Sequence, residues 1–218
     1  MTTPLVSLDV GGTLGRVDGP TIADVLAAAS PLDPVEARRI MRHRLHTRTS
    51  ITESVVADVC TALRIPEDVF PRLARVSPLR LLPGAVNALR AMSQHAMLVT
   101  LSNVTCLEAD TDQLHELLSP WVAGHFPSCC IGYAKPDADA FRSVARACGT
   151  STTHMVHIGD DWECDIMGAR SAGATAIWIS KGRPVPGPAP SNDPDVLVAG
   201  DLSAAARHIK DLTARRRP

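Results

Sequence analysis

The sequence predicts an α/β fold, in which helices cover a parallel sheet and a small all-helical segment is inserted near the start of the chain. From about residue 96 onward, short apolar runs alternate with amphipathic segments, which is typical of repeated βα units. Between Thr21 and Arg75, by contrast, the spacing is helical and no strand signal is present. The length of 218 residues suits one domain with such an insert, because domains average roughly 150 residues.

The first elements are a strand and three inserted helices. The apolar run Pro4–Val10 ends at two glycines and is predicted to be a buried strand. Asp33 followed by Pro34 is typical of a helix start, because Asp caps free backbone N–H groups and proline fits the first turn. The other two helices of the insert are predicted over Thr52–Leu63 and Glu67–Ala74.

The remaining elements alternate along the second part of the chain. The predicted helices cover residues 85–94, 112–118, 137–148, 165–172 and 203–214. The predicted strands cover 96–101, 129–132, 155–158, 175–179 and, at an edge, 196–198. The proline-rich segment 182–194 is expected to be an extended loop, and 215–217 a solvated basic tail. We therefore expect an α/β core of residues 1–15 and 82–218 and a helical cap of residues 16–81.

Composition and charge exclude several classes of protein. The formal net charge is −1 and aromatic residues make up 3%, so no nucleic-acid partner is expected. No apolar run approaches the roughly 18 residues that span a bilayer, so no membrane partner is expected either. The first residues lack the basic region of a signal peptide, and the six cysteines show no C-x-x-C spacing. We therefore expect a cytoplasmic protein with reduced thiols.

Four polar segments follow four predicted strands, at the edge of an open parallel sheet where ligands bind. These segments are residues 8–14, 101–103, 134–137 and 158–165. A carboxylate at a strand end, such as that of Asp9, can act as a nucleophile and form an acyl phosphate. The carboxylates of Asp160, Asp161 and Asp165 can complete a Mg²⁺ site, because Mg²⁺ prefers oxygen ligands.

The same segments supply groups that bind phosphate. The hydroxyl of Ser102, the ammonium of Lys135 and the backbone N–H groups after Gly11 can all donate to phosphate oxygens. A lysine at the start of a helix opposes the helix dipole, which favours a specific anionic partner over a simple surface position. The set as a whole suits phosphoryl transfer, which depends on positioning and charge neutralisation.

The motifs resemble those of the haloacid dehalogenase (HAD) superfamily of hydrolases, whose fold is a Rossmann-like α/β core. That family has an Asp-x-Asp-x-Thr loop after its first strand, followed by a Ser or Thr, a Lys and a Gly-Asp-x-x-x-x-Asp motif. The residues that match in order and spacing are Asp9, Thr13, Ser102, Lys135, Asp160 and Asp165. The resemblance covers essentially the whole chain, including a helical cap inserted after the first loop.

The resemblance implies a catalytic and metal-binding set. Asp9 would be the nucleophile, and Asp9, Asp160 and the backbone carbonyl of Gly11 would hold Mg²⁺ with support from Asp165 or Asp161.

The resemblance also implies groups that bind a small phosphorylated substrate. Ser102 and Lys135 would bind the transferring phosphoryl group, Gly12 would contribute to the phosphate loop, and Thr13 would orient it. Asn103 either binds substrate or holds its loop, and the sequence does not favour one of these interpretations.

The first motif departs from the phosphatase pattern at one position. Gly11 stands where phosphatases have a second Asp, which protonates the leaving oxygen and activates water. General acid–base help of this kind contributes roughly 10²- to 10⁴-fold. His43 and His46 of the cap are candidates to replace it. The alternative hypothesis is a catalytically impaired relative that binds a phosphorylated ligand or a protein partner.

Three further interpretations rank lower. Phosphonate-cleaving relatives use a cap lysine, and the chain has no lysine before Lys135. Haloacid dehalogenases have a metal-free site without an acidic residue at the position of Asp160. The run from Asp9 to Thr13 also resembles a phosphate loop of sugar kinases, but that interpretation leaves the other three motifs unexplained.

Overall fold

The structure is a computed structural model that describes residues 4–73, 77–186 and 195–215. Three predicted features extend beyond it. The end of the third cap helix (Ala74), residues 187–194 of the proline-rich segment and residues 216–217 of the basic tail lie outside the described residues.

The elements are numbered along the described chain. The strands are β1 (Leu5–Leu8), β2 (Gly15–Val17), β3 (Leu79–Leu81), β4 (Met97–Ser102), β5 (Val122–Pro127), β6 (Met155–Gly159), β7 (Thr175–Ile179) and β8 (Val196–Ala199). The helices are α1 (Ile22–Ala29), α2 (Pro34–Arg44), α3 (Glu53–Leu63), α4 (Ala85–Ser93), α5 (Thr111–Leu118), α6 (Ser128–Ile131), α7 (Ala138–Ala147), α8 (Gly168–Ser171) and α9 (Leu202–Arg215). Short 3₁₀ turns cover Glu67–Val69 and Thr152–His154, and a π-helix covers Trp162–Met167.

One 6-stranded sheet forms the centre of the molecule, in the order β5-β4-β1-β6-β7-β8. Every pairing within it is parallel. Parallel neighbours need crossover connections, and helices lie in the connections from β1 to β4, from β4 to β5 and from β6 to β7. The carboxyl ends of β1, β4 and β6 therefore lie side by side at one edge. The predicted α/β fold with a parallel sheet flanked by helices is confirmed.

Side chains of the sheet alternate between two apolar layers. Val6 and Leu8 of β1 pack into the layer that α4 and α9 cover, whereas Leu5 packs into the layer under α7 and α8. Phe141 of α7 and Trp178 of β7 are fully buried in this second layer. Both faces of the sheet are thus covered, which is the usual environment of parallel strands.

The segment between β2 and β3 contains three helices with an apolar cluster of their own. Leu26 of α1, Met41 of α2 and Leu63 of α3 are fully buried within that cluster. The predicted start of α2 is confirmed, because the Asp33 side chain accepts a hydrogen bond from the backbone N–H of Val35 at 2.9 Å.

Among the described helices, none combines the length and the apolar character needed to cross a membrane. All six cysteines are free.

One strand and a two-stranded ribbon were not foreseen. β5 contains Gly124 and ends in Pro127, two residues that ordinarily mark breaks, but it lies at the sheet edge, where both are tolerated. β2 and β3 pair antiparallel to form a ribbon at the two ends of the helical segment. Each has 3 residues, too few to show an alternating pattern.

Three predicted elements were wrong in type or extent. Residues 129–131 lie in α6 rather than in a strand, and Gly132 ends that helix with a φ of 79°. The third cap helix is only the turn Glu67–Val69, because Pro71 cannot continue a helix interior. The helix predicted from Asp165 is a π-helix over Trp162–Met167 followed by α8.

Gly159 is the last residue of β6 and lies at the edge of the sheet where the polar segments follow the strands. A Cβ placed on it would lie 2.2 Å from the carboxyl carbon of Asp165, so the absence of a side chain lets that carboxylate pack against the strand. We therefore expect Gly159→Ala to lower the free energy of unfolding by about 3 kcal/mol, since overpacking and the disturbance of a buried charge both contribute.

Chemical denaturation of the variant tests this expectation. Gly200→Ala is the matched control, because a Cβ on Gly200 would meet no atom within 4 Å. A loss in Gly159→Ala no larger than that in Gly200→Ala would contradict the proposed close packing.

Candidate active site

The carboxyl ends of β1, β4 and β6 surround a cavity of about 400 Å³. The backbone N–H of Asp9 donates to the carbonyl of Ile158 at 2.9 Å, so strand pairing extends to the first residue of the site. The predicted site residues that line this cavity are Asp9, Gly11, Ser102, Asn103, Lys135, Asp160 and Asp165. Residues from all four polar segments of the sequence are therefore brought together here.

A buried lysine joins two of the carboxylates. Lys135 Nζ donates to Asp9 Oδ1 at 2.8 Å and to Asp165 Oδ1 at 2.6 Å. The Lys135 side chain is 2% exposed, and those of Asp9 and Asp165 are 12% and 2% exposed. His157 of β6 connects Asp165 to β1. Its Nε2 lies 3.2 Å from Asp165 Oδ1, and its Nδ1 lies 2.7 Å from Ser7 Oγ.

Burial and charge set the protonation of this group. Burial and the neighbouring carboxylate of Asp165 raise the pKa of Asp9 to about 7, although the ammonium of Lys135 opposes that shift. Burial disfavours the charged form of Lys135, but Asp165 and Asp9 outweigh burial and raise the pKa of the ammonium. Burial also disfavours the charged form of Asp165, but Lys135 and His157 outweigh it and lower the pKa of that carboxyl. Lys135 and Asp165 are therefore charged, and Asp9 titrates near neutral pH.

Asn103 holds the backbone of Lys135 in place. Its Nδ2 donates to the carbonyl of Lys135 at 2.7 Å, and its Oδ1 accepts from the backbone N–H of Lys135 at 2.8 Å. Both ends of the amide are thus engaged by the chain itself, which fits the loop-holding interpretation of Asn103. Ser102, the last residue of β4, lies beside it at the cavity wall.

The loop after β1 lies against Asp160. Gly12 has a φ of 81°, and a Cβ on it would lie 2.9 Å from Asp160 Oδ1, so only glycine fits there. Thr13 is buried, and its Oγ1 donates to Asp160 Oδ1 at 3.3 Å. Gly11 differs, because it is exposed and a Cβ on it would meet no atom within 4 Å. The loop thus orients Asp160 while leaving open space at position 11.

Asp160 also has two cationic neighbours that the sequence did not reveal. Lys181 Nζ lies 2.8 Å from Asp160 Oδ2, and Arg183 Nη2 lies 3.7 Å from the same oxygen. Arg183 Nη2 donates to the backbone carbonyl of Asp160 at 2.6 Å, and its guanidinium lies 5.4 Å from the ring centre of Trp178. Neither cation belongs to a recognisable motif, so spacing along the chain offered no signal for them.

The acidic groups fit a hard divalent cation. One carboxylate oxygen from each of Asp9, Asp160 and Asp165 lies within 4.8 Å of the others. Such an all-oxygen donor set suits Mg²⁺. The side chain of Asp165 is 2% exposed and accepts from Lys135 through Oδ1 and from the backbone N–H of Asp161 through Oδ2. The side chains of Asp9 and Asp160 are 12% and 20% exposed, so a cation reaches them more readily from the cavity. Asp161 itself caps the π-helix, accepting from the backbone N–H of Cys164 at 2.8 Å.

Helix α2 and the residues after it form the opposite wall. Arg42 contacts Glu163 Oε1 at 3.2 Å, which joins α2 to the segment after β6. His46 is buried and lines the cavity, and burial together with Arg42 lowers the pKa of its imidazole to about 4. His43 is exposed and is not among the described residues that line the cavity. Of the two candidate cap histidines, the structure therefore brings only His46 to the site.

Comparisons with known proteins agree with this architecture. The profile of the haloacid dehalogenase-like hydrolase family matches residues 3–173. A phosphoserine phosphatase of Thermus thermophilus is 36% identical over 95 residues, which cover 41% of this chain. The match spans only 36% of the length of that relative.

Two solved structures share the fold across nearly the full length. The 2-haloacid dehalogenase of Pseudomonas syringae is 21% identical with a TM-score of 0.62, over 98% of this chain and 99% of that one. The HAD-hydrolase YfnB of Bacillus subtilis, bound to magnesium, is 17% identical with a TM-score of 0.58, over 96% of this chain and 100% of that one. On the family match and the fold together, the chain belongs to the haloacid dehalogenase-like hydrolase family.

Proposed function

We propose that this protein is a Mg²⁺-dependent phosphatase that hydrolyses a small phosphorylated metabolite through an aspartyl-phosphate on Asp9. The observation that carries the proposal is the buried Lys135, which contacts Asp9 at the wall of a cavity that also contains Asp160. A carboxylate, an ammonium and further carboxylates at one strand edge are the groups that phosphoryl transfer requires. The similarity to a phosphoserine phosphatase supports the same reaction class.

In the first step, a carboxylate oxygen of Asp9 attacks the phosphorus of the ester. The bond between phosphorus and the leaving oxygen breaks, and that oxygen departs with the electron pair. Lys135 keeps Asp9 oriented, and Lys135 and Ser102 bind the oxygens of the transferring group. Mg²⁺, when bound by Asp9, Asp160 and the Gly11 carbonyl, would neutralise charge on the phosphoryl group.

In the second step, water attacks the phosphorus of the aspartyl-phosphate. The acyl phosphate bond breaks, inorganic phosphate forms and the Asp9 carboxylate is regenerated. Gly11 offers no group to protonate the leaving oxygen or to activate this water. The proposal therefore favours substrates whose leaving oxygen needs little protonation.

The helical segment completes the site in this proposal. We propose residues 1–15 and 82–218 as the catalytic core and residues 16–81 as the cap. The ion pair between Arg42 and Glu163 connects cap to core directly above the polar edge. Ala23, Arg38 and His46 of the cap line the same cavity, so the substrate would be recognised from this side.

Release of phosphate from p-nitrophenyl phosphate is the direct test of the reaction. We expect Mg²⁺-dependent release by the wild-type protein, because an aryl leaving group does not need the missing acid. Asp9→Asn should reduce release to background, because the amide cannot attack the phosphorus.

Absence of release from the wild type would favour a protein that binds a phosphorylated ligand without turnover. Activity that persists in Asp9→Asn would exclude Asp9 as the nucleophile. If the wild type is inactive but Gly11→Asp is active, the missing carboxylate alone accounts for the loss, since space for that side chain exists.

The pKa of Asp9 predicts a pH-dependent difference in stability. The folded protein keeps a proton on Asp9 up to about pH 7, whereas the unfolded chain loses it near the ordinary value of 3.8. Wild-type stability therefore falls as pH rises between these values. We expect Asp9→Asn, which lacks this titration, to gain about 2 kcal/mol relative to wild type between pH 5 and pH 8 in EDTA. Denaturation at both pH values measures it, and a difference that is constant or shrinks would contradict the raised pKa.

The ion pair between Lys181 and Asp160 predicts an effect on metal affinity. Because the pair and the metal would use the same carboxylate, we expect Lys181→Met to bind Mg²⁺ roughly 2- to 5-fold more tightly, as measured by calorimetry. Lys210→Met on α9 is the control and should match the wild type. Unchanged or weaker binding by Lys181→Met would show that Lys181 does not compete with the metal.

A further inference from the structure

A second cavity, of about 200 Å³, lies next to the site. The two cavities share a wall made of Gly11, Ala23, His46, Ser102 and Asn103. A molecule whose phosphoryl group is held at Asp9 therefore has its remaining atoms within reach of this second space. Nothing in the proposed reaction uses it.

The lining of the second cavity is mainly apolar. It comes from the loop after β1, the ribbon of β2 and β3, and the region of α5. The apolar side chains that line it include Val10, Val17, Leu79, Val104, Leu114 and Pro127. Transfer of hydrocarbon from water into such surroundings is favourable.

The charges around the second cavity are unlike those of the site. No Lys or Arg is among the described residues that line it, whereas four basic side chains, among them Lys135 and Arg183, line the first cavity. The carboxylates present, Glu108 and Asp110, already accept hydrogen bonds from the chain. Glu108 accepts from the backbone N–H of Ile22 at 2.7 Å, and Asp110 accepts from that of Gln113 at 2.9 Å. An anionic group would find repulsion there and no cationic partner. A cationic group would find carboxylates whose oxygens already accept from Ile22 and Thr105, for Glu108, and from Gln113, for Asp110.

Gly11 lies at the junction of the two cavities. It lines both, it is exposed, and a Cβ on it would meet no atom within 4 Å. An Asp side chain at this position would project into that open space. The absence of a side chain therefore leaves room for the part of a substrate that leads away from the phosphorus.

We propose that the second cavity binds the leaving group, and that the substrate is the phosphate ester of an uncharged, predominantly apolar hydroxyl compound whose oxygen leaves without protonation, such as a phenol. The inference rests on the proposed phosphatase function and adds the chemical class of the substrate. The phosphoryl group lies at Asp9, the ester oxygen passes Gly11, and the hydrocarbon portion lies among Val17, Leu79 and Leu114.

Binding of phosphonates in the presence of Mg²⁺ tests the proposal without turnover, because their carbon–phosphorus bond replaces the ester bond. Each methylene that leaves water contributes roughly 4-fold in affinity. Butylphosphonate is therefore expected to bind on the order of 10- to 50-fold more tightly than methylphosphonate, as measured by calorimetry. The equally long 4-phosphonobutanoate and 3-aminopropylphosphonate, with a charged tail, should show little of this gain.

Two variants test whether the gain in affinity from methylphosphonate to butylphosphonate comes from the second cavity. Ala109 lines the second cavity but not the first, so Ala109→Phe should fill it and reduce the butyl-to-methyl affinity ratio to about 1. Ala147→Phe, on the exposed side of α7, introduces the same side chain elsewhere and should keep the wild-type ratio.

The outcomes separate the two proposals. If neither methylphosphonate nor butylphosphonate binds with Mg²⁺, the phosphatase site itself is wrong and the inference falls with it. If both bind equally, or a charged tail binds as well as butyl, the site stands and the apolar leaving group is refuted. A ratio that survives in Ala109→Phe would also refute the second cavity as its location.

Discussion

The burial of one lysine between two carboxylates is the constraint on which the rest of the site depends. Lys135 is 2% exposed and donates to Asp9 and Asp165. A charge removed from water is stable only with close partners, and the loss of one partner would leave an uncompensated charge in the interior. Asn103 holds the backbone of Lys135 through a hydrogen bond, and His157 contacts the carboxylate of Asp165. Ion pairing and these two supports thus hold the charged side chains of the candidate site in place.

The sheet makes that constraint possible. Because all pairings of the central sheet are parallel, residues that follow β1, β4 and β6 emerge on the same side although they are distant in the chain. Gly159 allows Asp165 to fold back onto the end of β6, and Gly12 allows the first loop to approach Asp160. The glycines at the end of β6 and in the loop after β1 therefore determine how closely the carboxylates assemble.

In the proposed function, the open position at Gly11 connects the catalytic step with the choice of substrate. In the proposed mechanism the glycine at position 11 supplies no acid–base group, and in the structure it leaves open space where the polar cavity meets the apolar one. An enzyme without that group depends more on its leaving group and on binding energy from the rest of the substrate. The apolar second cavity would supply such binding energy. The missing acid–base group and the selective binding of an apolar leaving group would then both follow from the glycine at position 11.

The sequence by itself determined the features that depend on neighbouring residues. Local spacing predicted the strand at Thr175–Ile179 and the start of α2 at Asp33, and the polar segments after the strands predicted which groups share an edge. It failed for β5, because Gly124 and Pro127 ordinarily mark breaks, and for residues 129–132, because a short apolar run does not distinguish strand from helix without its packing partners. The contact between Lys181 and Asp160, and the position of Gly11 at the junction of two cavities, became evident only from the tertiary structure. The physical reason is that such contacts join loops whose relative positions depend on strand order and loop path, neither of which is encoded in local spacing.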